Sequence, residues 1–148
     1  MLNLTLAAIL SCLMLMGLAA CQSIDAADTK DDSLFLALGG VQGIEAIVDT
    51  FIYEISESET VIHHFEDTNL NRFRAKQIEH ICVLAGGPCR YTGDEMIEVH
   101  QGMNITEAGF NTMTNTLIRA LDQHGISVGD RNRLLAIIAP MRGEVIYR

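Results

Sequence analysis

Apolar residues recur at helical spacing in one segment of this 148-residue chain after another, and nowhere does a run of strand length alternate apolar with polar. That pattern commits the chain to helices. From Ile44 to Ile55 the positions Ile44, Ile47, Val48, Phe51, Ile52 and Ile55 share a face, and residues 71–84 repeat the spacing with Phe73, Gln77, Ile81 and Leu84. A short helix around residues 94–101 follows. Phe110, Met113, Leu117, Ile118 and Leu121 mark another, and a last pattern runs from Leu134 to Ile146 behind a Ser127-x-x-Asp130 capping box. Breakers separate these runs. Ser33 is placed to cap a first short helix, SLFLAL, which Gly39-Gly40 ends, and Gly86-Gly87-Pro88 stops the helix before it. Pro140 falls inside the last pattern and predicts a kink or an early end there. The fold class is all-α.

One domain accounts for the length. The formal net charge is −9 and no Lys/Arg cluster appears, which argues against nucleic acid or anionic lipid as an electrostatic partner and for a small ligand. The first twenty residues, MLNLTLAAILSCLMLMGLAA, carry no charged side chain and read as the apolar region of a secretory signal. They end at Leu18-Ala19-Ala20-Cys21, which resembles a bacterial lipobox, although no Lys or Arg precedes the apolar run. An uncleaved anchor is the competing reading, since roughly 17 to 19 apolar residues are just long enough to span a bilayer. The expected organisation is a signal at 1–20, a polar and acidic tether at 21–32 and a folded domain at 33–148. The expected location is the bacterial cell envelope, lipid-anchored through Cys21 to the outer membrane and facing the periplasm.

Of the four cysteines, Cys12 would leave with the signal and Cys21 would carry lipid, so Cys82 and Cys89 remain in the domain. In an oxidising periplasm they could form a disulfide; two separate buried thiols are the alternative, and a zinc site with His80 is a third. The sequence leaves these open.

The chemistry narrows by elimination. There is no G-x-x-x-x-G-K-[ST] phosphate cradle, no G-x-S-x-G elbow, no H-E-x-x-H and no C-x-x-C-H. One histidine stands out. Met96, Val99, His100 and Met103 share a helical face, so His100 points inward among apolar neighbours. On its own this reads as a core histidine satisfied by a backbone carbonyl. Opposite it, the helix bearing Phe73, Gln77, His80 and Ile81 offers a second wall, apolar with a few polar groups. Two such walls, one with an imidazole able to ligate iron, describe a haem slot.

Several motifs then fall in order: Gly39-Gly40, Phe65, Thr68-Asn69, Arg72-Phe73-Arg74-Ala75-Lys76-Gln77, Gly86-Gly87-Pro88-x-x-Tyr91-x-Gly93, Met96-x-x-x-His100-x-Gly102-x-x-Ile105-Thr106, Phe110 and Ala139-Pro140. In this order and spacing, over roughly residues 33 to 146, the sequence resembles the group I truncated haemoglobins. The resemblance implies a shortened globin fold, two helices over two, around one haem b. It implies that His100 is the proximal iron ligand and that Phe65 packs on the porphyrin. Thr68, Arg72, Lys76 and Tyr91 match propionate contacts, and Gln77 matches a distal donor, with His80 beside it as the other residue expected to act on the ligand. Ile52, Phe73, Ile81, Met96, Val99, Met103, Ile105 and Phe110 complete the expected haem environment. His63 and His64, before Phe65, are expected at the surface.

One departure bears on mechanism. The family's distal tyrosine, next to the phenylalanine of the second helix, corresponds here to Ile52, and Tyr53 is turned about 100° away. Losing a hydrogen bond to a partly charged ligand removes roughly 1.5 to 3 kcal/mol, which puts strong oxygen retention in doubt. His80 is placed to replace that donor in part or to ligate iron itself; an exposed or solvent-gating His80 is the alternative. The expected function is therefore binding of O2, NO or CO, as carrier or sensor, or with nitric-oxide dioxygenase or weak peroxidase chemistry and a reductase as partner. The alternative is an electron-transfer or haem-handling lipoprotein with six-coordinate iron and no gas turnover.

Overall fold

The computed structural model describes residues 31–148, and the signal, lipobox and most of the tether lie outside the described residues. The helices are α1 (Ser33–Ala37), α2 (Gly40–Ser56), α3 (Leu70–Leu84), α4 (Met96–His100), α5 (Glu107–Gln123), α6 (Val128–Ile138) and α7 (Arg142–Val145), with 3-10 turns at Ile62–Phe65 and Ala139–Met141. No strand occurs among the described residues. The all-α expectation holds.

Helix α2 is the centre of the packing, lying against both α3 and α5, while α1 meets α6 and α4 meets α7. Its buried stripe, Ile44, Ile47, Val48, Phe51 and Ile55, follows the apolar spacing of the sequence. Leu117, Ala120 and Leu121 from α5, Leu134 from α6 and Ile81 from α3 complete the core. The corner between α1 and α2 is tight. Gly39 sits at φ 85°, and a Cβ on Gly43 would collide with the carbonyl of Leu38.

Helix ends explain the remaining boundaries. Ser33 does not cap α1. It is the first helical residue, and its N–H donates to Asp31 Oδ1 at 3.0 Å, so the carboxylate two residues earlier satisfies that donor. The capping box does form: Ser127 Oγ accepts from the Asp130 N–H at 3.1 Å and donates to Asp130 Oδ2 at 2.7 Å. Helix α3 closes in a Schellman arrangement, with Gly87 N donating to Cys82 O and Gly86 N to Val83 O while Gly86 sits at φ 87°. Pro140 ends the α6 pattern early. The chain tightens into a 3-10 turn and resumes as α7, because proline supplies no amide for the next α-helical bond.

Candidate functional site

A cavity of about 310 Å³ opens between α3 on one side and α4 and α5 on the other. Helix α4, five residues long and with no fully buried residue, could not hold a geometry by itself. Two devices fix it. It packs on α7, and the chain end pins the following loop, where Tyr147 N donates to Ile105 O and Asn104 N to Arg148 O, each at 2.9 Å.

The cavity wall carries His100, Met96, Val99 and Met103 from the α4 segment, together with Ile105 and Phe110. Val99 is 44% exposed because its face looks into this open space, not into packed core. His100 Nδ1 lies 2.7 Å from the carbonyl oxygen of Met96, one turn back. With Nδ1 donating to that carbonyl, Nε2 is the ring nitrogen left to offer its lone pair to a metal. The edge of the ring satisfied by the carbonyl and the edge open to a metal are thus distinct.

The facing wall comes from α3 and the corner before it. Phe65, Thr68, Phe73, Gln77, His80 and Ile81 all line the cavity. Phe65 and Phe73 meet edge to face with centroids 5.1 Å apart, forming a rigid apolar floor. Burial pushes the His80 pKa below its ordinary value, and its ring lies 5.0 Å from that of Tyr91. Burial therefore favours the neutral imidazole of His80.

Four of the expected haem contacts do not line this cavity. Ile52 packs against the core, and its neighbour Phe51 takes the place on the wall; Tyr53 is 61% exposed. Arg72 forms an exposed ion pair with Asp94 at 2.8 Å. Lys76 bonds both Glu79 oxygens at 2.9 Å and also Thr92 Oγ1. Tyr91 donates to the Asp94 carbonyl at 3.0 Å. Both cations are paired with carboxylates.

One expectation is corrected. His63 is exposed, but His64 lines the cavity, and burial followed by the proximity of His63 lowers its pKa. The 3-10 turn at Ile62–Phe65 turns adjacent residues to different sides, so two neighbouring histidines have different surroundings. Sequence reasoning also missed the C-terminal wall, where Ile138, Met141 and Val145 reach the cavity. Their apolar spacing is visible in the sequence, but the Pro140 break resets its phase.

Cys82 and Cys89 are joined by a disulfide, with Cα atoms 5.9 Å apart. Both thiols are consumed, which removes the zinc alternative with His80; among the described residues no cluster of three or more metal-binding side chains occurs.

An all-helical domain with a histidine-bearing helix facing a donor-bearing helix across an apolar cavity defines the globin class. The bacterial-like globin family model matches residues 33–147, and the chain belongs to that family. Within it the protein is a group I truncated globin. The group 1 truncated hemoglobin GlbN of Mycolicibacterium paratuberculosis is 34% identical over 113 residues, covering 76% of this chain and 83% of that protein. The group 1 truncated hemoglobin of Tetrahymena thermophila is 32% identical over 98 residues, covering 66% and 81%. The crystal structure of the Fe(III) form of truncated hemoglobin from Tetrahymena pyriformis superposes with a TM-score of 0.75 at 27% identity, covering 78% of this chain and 98% of that one. The fold is the two-over-two helical sandwich.

Proposed function

We propose that this globin binds a diatomic gas, O2, NO or CO, at the iron of one haem b ligated by His100. The cofactor and gas binding follow from family membership. Haem supplies an iron with one coordination position for the protein and one for the ligand. The observation that carries the ligand assignment is the Met96 carbonyl on His100 Nδ1, because it fixes the tautomer that leaves Nε2 for the metal. Opposite, Gln77 and His80 share the cavity wall, and the Gln77 amide is the proposed donor to bound gas. Arg72, Lys76, Thr68 and Tyr91 are proposed to receive the propionates. Trading an exposed carboxylate for a propionate costs little, since exposed ion pairs contribute roughly 0 to 1 kcal/mol.

Spectra of the purified protein with hemin, before and after dithionite and carbon monoxide, test the reading. A Soret band that shifts on reduction and again with carbon monoxide supports it; a colourless protein ends it.

A second reading rests on His80. It lines the same cavity as His100 and burial favours its neutral, metal-binding form, so it would hold the iron when no gas is bound, giving an electron-transfer or haem-handling protein. Fast ferrous binding of oxygen or nitric oxide favours the first reading, and an unreactive six-coordinate iron favours the second. Nitric-oxide dioxygenation or weak peroxidase activity would need a reductase or another external electron source.

The location proposed is the bacterial cell envelope, with lipid on Cys21 and the domain facing the periplasm. Metabolic labelling with a radioactive fatty acid, in the wild type and in Cys21→Ala, tests it: label on the wild type alone supports the anchor.

A further inference from the structure

The segment between α3 and α4 does not simply connect the two walls of the cavity; it is laced back along α3. Six attachments run in order. The Cys82–Cys89 disulfide fastens its start, and Gly87 N donates to Cys82 O at 2.8 Å. The His80 and Tyr91 rings meet at 5.0 Å. Thr92 N donates to Glu79 Oε2 at 2.8 Å, Lys76 bridges Glu79 and Thr92, and Arg72 reaches Asp94 at 2.8 Å. Two glycines are needed for this course. A Cβ on Gly87 would run into the Cys82 sulfur and the Phe35 ring, and one on Gly93 would occupy the space of the Tyr91 ring.

His80 sits in the middle of this lacing, yet no hydrogen bond holds its imidazole among the described residues. What bounds it is the Tyr91 ring on one side and the cavity on the other. Tyr91 in turn lies two residues beyond Cys89, so its position depends on where the bridge fixes the chain. Arg72, Lys76 and Glu79 are exposed or half-buried, and their ion pairs contribute little rigidity. Cys82 is fully buried and Cys89 half-buried, and the bridge is the one covalent attachment in the set.

We propose that the Cys82–Cys89 disulfide and Tyr91 are positioning groups for His80: the bridge holds Tyr91 over the outer face of the imidazole, and the imidazole is thereby kept against the cavity. This rests on the assignment of the cavity as the haem and gas site, and it gives the loop a role in what meets the ligand there. Opening the bridge would free Tyr91 to move outward and give His80 a second rotamer, toward solvent.

The test uses the haem-loaded ferrous carbonyl form, which is diamagnetic. Two readouts apply: NMR cross-relaxation between the His80 and Tyr91 rings, and the infrared C–O stretch, which responds to groups facing the ligand. Expected for C82S/C89S is loss of the ring-to-ring cross-peaks and a stretch that moves to the value of His80→Ala. Tyr91→Phe and Tyr91→Leu both lose the hydroxyl and only Leu loses the ring, so the stretch should move further toward the His80→Ala value in Tyr91→Leu than in Tyr91→Phe. Should C82S/C89S fail to fold, the Phe and Leu variants decide. Wild-type cross-peaks in C82S/C89S, or identical stretches in Tyr91→Phe and Tyr91→Leu, overturn the proposal. If His80→Ala itself leaves the stretch unchanged, it is the distal role of His80 that fails, and the cross-peaks still judge the positioning.

Discussion

The carbonyl oxygen of Met96 accepts a hydrogen bond from His100 Nδ1 at 2.7 Å within a helix only five residues long. One turn of helix therefore supplies both the candidate ligand and the group that orients it. Replacing His100 by Ala should abolish stable haem retention, and added imidazole should restore a haem spectrum by filling the space left. Absorption spectra before and after gel filtration check this; an unchanged Soret band in His100→Ala without imidazole rules the residue out.

Gln77 is the amide on the α3 wall, and the α2 position where the resemblance expects tyrosine is Ile52, which packs against the core and does not line the cavity. Gln77→Leu keeps the volume and removes the donor. A hydrogen bond to a partly charged ligand contributes roughly 1.5 to 3 kcal/mol, so oxygen should leave about 10- to 100-fold faster. Stopped-flow dissociation measures it, and an unchanged rate assigns the donor elsewhere.

The chain end holds the His100 segment through Tyr147 N on Ile105 O and Asn104 N on Arg148 O. Deleting residues 146–148 should leave the core of α2, α3 and α5 intact but speed haem loss to an acceptor such as apomyoglobin. Equal transfer rates would show that packing of α7 on α4 is sufficient.

Gly43 faces the Leu38 carbonyl so closely that no methyl group fits between them. Gly43→Ala must move the α1–α2 corner, and destabilisation of about 2 kcal/mol or more is expected, despite the usual gain from alanine in a helix. Urea unfolding checks it. A stabilised variant would mean that α1 is free to shift.

The hydrogen bond from Lys76, and then those from Thr92, hold the Glu79 carboxyl at a pKa of about 2, against an ordinary value of 4.5. The folded value is the lower one, so Glu79 favours the folded state above pH 4.5 and loses that contribution as pH falls toward 2. Glu79→Gln should therefore flatten the dependence of stability on pH between those limits, matching the wild type near pH 2 and falling below it at pH 5 and 7. Denaturant unfolding at pH 3, 5 and 7 reads this out, and parallel wild-type and variant curves would count against it.

Much of the molecule is legible in the sequence. The α2 stripe, the α3 face of Phe73, Gln77, Ile81 and Leu84, and the α5 run from Phe110 to Leu121 are all set by a period of 3.6 residues, which is local and survives any packing. His100 could be singled out for the same reason, since its neighbours at helical spacing are apolar. Other features depended on how the chain turns at and beyond the helix ends. The two neighbours His63 and His64 part company at a 3-10 turn, and Arg72 and Lys76 face carboxylates from their own helix and the loop beyond it. The disulfide required Cys82 and Cys89 to lie 5.9 Å apart, which the Schellman reversal at Gly86 arranges and their spacing alone does not. Periodicity fixes which face of a helix is apolar. Which helix that face meets is set by contacts between residues far apart in the chain, whereas the nitrogen of His100 left for a ligand is set locally, by the Met96 carbonyl one turn back.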